Sequence, residues 1–152
     1  MLKAIILTYA NIEQSEKSLL QSTNIFKLAL NQHAEELYPD YRIITDYFLE
    51  KMCKNFSQKI ISVRDRLNCY SDKVEYFDGK FKGATILSAI DYLLSKDYEE
   101  ILIIGDNKVH DPAFQNLINT EIDKLDTKTK IYQYSDGNFH LPVKTIEEFC
   151  NK

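Results

Sequence analysis

Polar side chains recur at one kind of place in this chain, the few positions just after each short apolar run. Asn11 follows the first run, Asn31 the second and Asp46 the third, while Asp106 follows the run ILII through Gly105. An amide such as that of Asn11 or Asn31 both donates and accepts, which suits the edge of a base or a ribose. Gly83, Ala84 and Thr85 open a helix directly, so unpaired backbone N–H groups and a Thr hydroxyl are offered together, as a phosphate requires. Asp106 shares the sign of a phosphate and would face a sugar hydroxyl or a bridging cation instead. A lone Asp does not make a metal site, because Mg²⁺ draws further carboxylates or ligand phosphates, and no metal is expected. His110 and His140, two of the three histidines, stand in turns near the same edge. An imidazole that titrates near neutrality is suited to act there as general acid or base. Asn, Asp and Ser also cap helices and close turns, so a purely structural role stands beside each of these readings.

The elements that must position these residues alternate. Strands are predicted over residues 3–9 (KAIILTY), 25–31 (IFKLALN), 41–46 (YRIITD), 59–65 (KIISVRD), 101–104 (ILII) and 130–134 (KIYQY), with a weaker one over 72–78 closed by Gly79. A helix is predicted to end near Gln21, a short one over 33–38 is stopped by Pro39, and another covers 48–56. Over 83–96, Ile86, Ala89, Ile90, Leu93 and Leu94 fall at i, i+3, i+4, i+7 and i+8, one face of an amphipathic helix. A helix over 111–125 takes Asp111 as N-cap and Pro112 as its first residue, and a last one covers 145–151. Strand–helix alternation implies right-handed crossovers and one α/β domain, a three-layer Rossmann-like fold with a mostly parallel sheet of about six strands. In such a sheet ligands collect at the carboxyl ends of the strands, where the strand order switches.

Composition narrows the function. A net charge of −4, with 19 basic and 23 acidic residues spread along the chain, argues against a nucleic-acid groove. The lysines alternate with acids and read as solvated faces. No apolar run approaches the ~20 residues that span a bilayer, and the apolar start is too short for a signal peptide. The three cysteines, Cys53, Cys69 and Cys150, show no CxxC spacing and read as reduced thiols, so a cytoplasmic location is expected. The first turn, Tyr9-Ala10-Asn11-Ile12-Glu13, has no glycine, which excludes GxGxxG and P-loop signatures, and no GxSxG elbow exists.

Three segments together resemble a family. Residues 24–46 (NIFKLALNQHAEELYPDYRIITD) are similar to the second and third strands of bacterial sialyltransferases that use CMP-sialic acid, and of the related motility accessory factor proteins linked to flagellin glycosylation. Residues 82–106 resemble that family's small-residue turn, helix, "GYKEI"-like turn and apolar strand ending in Gly-x-Asp. Here these read Gly83-Ala84-Thr85, Lys96-Asp97-Tyr98-Glu99-Glu100-Ile101 and Gly105-Asp106. Residues 130–149 resemble its closing strand and helix. The departures are that Ala10, Asn11 and Ser15 stand where the family has Gly and Ser, that Asp106 follows Gly105 directly, and that one helix replaces the lid with its catalytic His and Tyr.

The resemblance implies a shortened relative lacking the lid. It would be a small glycosyltransferase-like enzyme or a catalytically incomplete nucleotide-sugar-binding domain, with a CMP-type nucleotide sugar as ligand rather than a bound cofactor. The nucleotide would lie across Asn11, Asn31, Gly83, Thr85 and Asp106, and His110 or His140 would activate the acceptor. Two other classes stay open on the same scaffold, a non-catalytic interaction protein and a phosphotransferase using Asp106.

Overall fold

In the computed structural model, residues 2–9, 11–45, 55–63, 73–81, 84–105, 111–135 and 138–151 are described. The strands are β1 (Lys3–Leu7), β2 (Phe26–Leu30), β3 (Tyr41–Ile44), β4 (Lys59–Ser62), β5 (Val74–Tyr76), β6 (Glu100–Ile104) and β7 (Lys130–Gln133). They form one seven-stranded sheet in the order β5-β4-β3-β2-β1-β6-β7. Every neighbouring pair is parallel. The Rossmann-like α/β fold expected from the alternation is therefore present, with one strand more than expected because the weak segment around Val74 joins the edge. The chain builds outward from β1 to β5, then returns to the other side of β1 with β6. The strand order thus switches between β1 and β6, at the centre of the sheet.

Among the described residues four α-helices cover the sheet: α1 (Gln14–Ser22), α2 (Thr85–Ser95), α3 (Pro112–Asp123) and α4 (Ile146–Cys150). Alternation along each strand sends successive side chains to opposite faces. On one face Ile6, Leu28, Ile43, Ile61 and Ile103 pack with Ile86, Ile90 and Leu93 of α2 and Ile118 and Ile122 of α3. On the other, Ile5, Leu7, Leu102 and Ile104 meet Leu20 of α1 and Ile146 and Phe149 of α4. Covering both faces is what makes β1 and β6 buried at every position, as an all-parallel sheet requires.

The α2 face read from the sequence holds: Ile86, Ala89, Ile90 and Leu93 are buried and Leu94 is partly so. The helix is buried further round than that, through Leu87, Ser88 and Tyr92. Asp111 caps α3 by accepting from the Ala113 N–H at 2.9 Å, with Pro112 opening the helix as expected. Gly105 ends β6 at φ 97°, a left-handed conformation that glycine adopts without steric cost.

Two expectations change. Residues 33–38 make a single 3-10 turn, Glu35–Leu37, flanked by left-handed Ala34 and Tyr38, because two such residues and Pro39 leave no room for an α-helical register. The reading of the lysines as solvated fails for Lys3 and Lys27, which are 8% and 3% exposed. Lys3 Nζ donates to the Phe149 carbonyl and Lys27 Nζ to the Leu20 carbonyl, each at 2.7 Å. Each long side chain thus runs beneath a helix end and satisfies an orphan carbonyl at its negative pole. The helix expected over 48–56 falls almost wholly outside the described residues, as do Cys53 and Cys69. Cys150 is half-buried, and burial pushes its thiol pKa up. No helix among the described residues is long and apolar enough to cross a membrane.

Candidate functional site

The carboxyl edge is built by the residues just after each strand. Asn31 leaves β2 in the left-handed conformation, φ 51°, which an Asn tolerates better than most residues. That turn throws its amide sideways onto the start of α2, where Asn31 Nδ2 donates to Thr85 Oγ1 at 3.2 Å. The Thr45 N–H, just past β3, donates to Asn31 Oδ1 at 3.3 Å, and the hydroxyls of Thr45 and Thr85 lie 2.6 Å apart. Three residues far apart in sequence thus close one polar cluster at the carboxyl ends of β2 and β3. The cluster spends part of its capacity on itself. Asn31 retains one amide hydrogen and one carbonyl lone pair, and the Thr45–Thr85 bond uses one of the two hydroxyl protons. When Thr45 donates, the Thr85 proton is free to meet a ligand.

The helix beginning at this cluster differs from its neighbours. Ala84 occupies the N-cap of α2 and can offer no side-chain acceptor, and the first turn contains no acidic residue. The first N–H groups of α2 therefore point out of the helix end with no side-chain partner among the described residues, an arrangement suited to an anion. At α4 the Thr145 hydroxyl accepts from the Glu148 N–H at 3.0 Å. At α1, which follows β1 beside the strand-order switch, the protein fills the place itself. Glu16 accepts from the Glu13 N–H at 3.0 Å and from the Tyr134 hydroxyl on both carboxylate oxygens, at 2.8 and 2.7 Å. Burial, then the bond to Glu16, push the Tyr134 phenol pKa up to about 12. A phosphate at the α1 start would have to displace a carboxylate that is already well bonded. That agrees with the absence of glycine from the turn before it.

Tyr9 follows β1 at the same edge. It is 72% exposed, and its ring meets the His33 ring edge-on at 6.4 Å between centroids. Asn11 is exposed at the same edge. Gly83, Asp106 and His110 lie outside the described residues.

His140 is placed elsewhere. Gln115 Nε2 and Asn119 Nδ2 both donate to the Asn138 carbonyl, at 2.9 and 2.5 Å, and the His140 N–H donates to Asn119 Oδ1 at 2.9 Å. Gln133 Nε2 holds the carbonyls of Phe139 and Leu141 at 2.9 and 2.7 Å. These bonds fold the chain back along α3 and set His140 Nδ1 3.1 Å from both oxygens of Asp123, the last residue of that helix. The loop lies beside Gln133 at the end of β7, with β6 and β1 between it and the Asn31 cluster at the ends of β2 and β3.

Sequence reasoning missed Thr45 and Arg42. Arg42 is fully buried within β3. Its Nη1 donates to the carbonyls of Asn31 and His33 at 2.7 and 2.6 Å, its Nε to Gln58 Oε1 at 3.3 Å, and its Nη2 to Glu35 Oε1 at 3.3 Å. The Phe56 ring lies 4.5 Å from the guanidinium carbon. Burial lowers the Arg42 pKa and Glu35 works against that shift. The signal was available: a charged residue interrupts an otherwise apolar strand that should be covered on both faces. Among the described residues no group of three or more His, Cys, Asp or Glu side chains is arranged to hold a metal.

Comparisons with protein-family models, with curated proteins and with solved structures give no match. The likeness to the sialyltransferases thus rests on the sequence segments alone.

Proposed function

We propose that this chain is a nucleotide-binding domain whose ligand is a nucleotide sugar of the CMP type, working in the cytoplasm. The observation that carries the reading is the meeting of Asn31, Thr45 and Thr85 at the uncapped start of α2. The phosphate would take the first N–H groups of α2 and the Thr85 hydroxyl, while Asn31 would offer its remaining amide positions to base or ribose. Tyr9, exposed just after β1, would give the base an aromatic face to stack on. The choice of CMP comes from the resemblance of residues 24–46, 82–106 and 130–149 to sialyltransferases. Binding is proposed ahead of glycosyl transfer because His140 stands away from this cluster and one helix replaces the family's lid.

A thermal-shift panel of CMP, CDP, UDP, GDP and ATP, each with and without Mg²⁺, tests the reading. A ligand at 100 times its Kd adds about 2.7 kcal/mol of stability, which raises Tm measurably. The expected result is a rise with CMP that Thr85→Val cuts to about half. No rise with any of the five would defeat the nucleotide reading. Hydrolysis of CMP-sialic acid by the same protein would extend the proposal from binding to transfer.

A further inference from the structure

Two independent features meet in the connection after β2. Of four described non-glycine residues with positive φ, three lie in it: Asn31 at 51°, Ala34 at 63° and Tyr38 at 54°. Asn tolerates the left-handed region, whereas Ala and Tyr are strained there, and such strain persists only when the surroundings over-determine it. What holds the first part of this turn comes from below. Arg42, followed in β3 by buried Ile43 and Ile44, reaches up to the carbonyls of Asn31 and His33 and to the Glu35 carboxylate. Gln58 Nε2 also bonds Glu35, which ties the carboxylate to the residue just before β4. An aliphatic residue at position 42 would satisfy the core as its neighbours do, without the cost of desolvating a guanidinium. The planar fork of an arginine brings what an aliphatic side chain lacks, several donors fixed in one geometry toward carbonyls that the left-handed turn points inward.

We propose that Arg42 is a positioning residue for the ligand site, holding the turn after β2 in its left-handed shape and so aiming the Asn31 amide at Thr85 and at the nucleotide. Asn31 is gripped at both ends: its carbonyl by Arg42, its side chain by Thr45 and Thr85. Releasing the carbonyl frees φ of Asn31 to return to the common region, which swings the amide away from α2. The inference rests on the nucleotide reading above, but its first consequence, the place of the Asn31 amide, can be read without any ligand.

The test combines the Asn31 side-chain amide signals in a ¹H–¹⁵N spectrum with CMP affinity. Arg42→Met removes the donors at similar volume. It should move the Asn31 Nδ2 signals and weaken CMP binding about tenfold or more. Arg42→Lys, whose ammonium reaches the carbonyls without the planar fork, should restore the signals only in part and bind CMP more weakly than wild type but better than Arg42→Met. Glu35 is half-exposed, so Glu35→Ala serves if Arg42→Met does not fold. By removing the partner charge it should shift the same signals less far and weaken CMP about threefold. Wild-type signals and affinity in a folded Arg42→Met, or in Glu35→Ala where the first does not fold, would overturn the proposal. A wild-type protein that does not bind CMP would defeat the nucleotide reading, and the Asn31 signals would still decide the positioning.

Discussion

Both α1 and α2 start at the carboxyl edge of the sheet, yet α1 starts under Glu13 and Glu16 while α2 starts beside Asn31, Thr45 and Thr85. The helix dipole is the same in each case and attracts negative charge. At α1 the attraction is satisfied within the chain, by a carboxylate that also holds the Tyr134 hydroxyl. At α2 the described residues that meet at the helix start, Asn31, Thr45 and Thr85, are neutral donors and acceptors, and Ala84 supplies no cap. The site nearest the strand-order switch, where fold alone would place a ligand, is thus the occupied one. The place left for an anion lies over β2 and β3. Position in a Rossmann-like sheet nominates an edge, and the local chemistry of each helix start decides which part of it is open.

The comparison presumes that α2 is pinned to the sheet, and the largest expected effect tests that. Leu93 is fully buried against Ile6, Leu28 and their neighbours. Leu93→Ala should cost ~2–5 kcal/mol in urea unfolding, and a loss below about half a kcal/mol would show that the face does not carry the helix. Next in size is the contrast between the two starts. Thr85→Val strands the Asn31 amide and the Thr45 hydroxyl, costing about 1–3 kcal/mol of stability. It should also weaken CMP roughly tenfold, about 1.4 kcal/mol. Glu16→Gln, measured by the same calorimetric titration, should leave CMP affinity within about twofold. Equal losses in the two variants would erase the distinction.

The smallest effect concerns the closed start itself. The folded-state pKa of Tyr134 is raised to about 12, from an ordinary value of 10.0. Its contribution is therefore fully present below pH 10 and is lost as pH rises through about 12. Tyr134 is partly exposed, so the contribution should stay below about 1 kcal/mol after screening. Other raised tyrosines titrate nearby, so the informative quantity is the difference between wild type and Tyr134→Phe in urea midpoint at pH 9.5 and at pH 12. A gap that narrows as pH climbs is expected. A constant gap would mean that the Tyr134–Glu16 bond does not close the α1 start.

The sheet was legible because its signals are local. Each strand is a short apolar run, the crossover before β6 carries a helical period, and Asp111-Pro112 and Thr145 mark helix starts by side-chain chemistry alone. Lys3 and Lys27 were not, because a lysine that runs under a helix end looks in sequence like any solvated lysine. Position after a strand was enough to single out Asn31 and Thr85. Their hydrogen bond was not readable, since it joins residues 54 positions apart and depends on a left-handed Asn31. That conformation in turn depends on Arg42, whose isolation in an apolar strand was visible but whose partners were not. For His140 only its place in a loop after the last strand was readable, and the bonds by which Gln115, Asn119 and Gln133 hold that loop against α3 and β7 were not.

The central claim is that the open anion-binding start is that of α2, and a CMP titration followed by ¹H–¹⁵N chemical shifts tests it most directly. The account predicts progressive, saturable shifts of the backbone amides of Thr85, Ile86 and Leu87 and of the Asn31 side chain, while the amides of Gln14, Ser15 and Glu16 stay within error. Shifts centred on the start of α1, or a spectrum that CMP leaves unchanged at millimolar concentration, would contradict it.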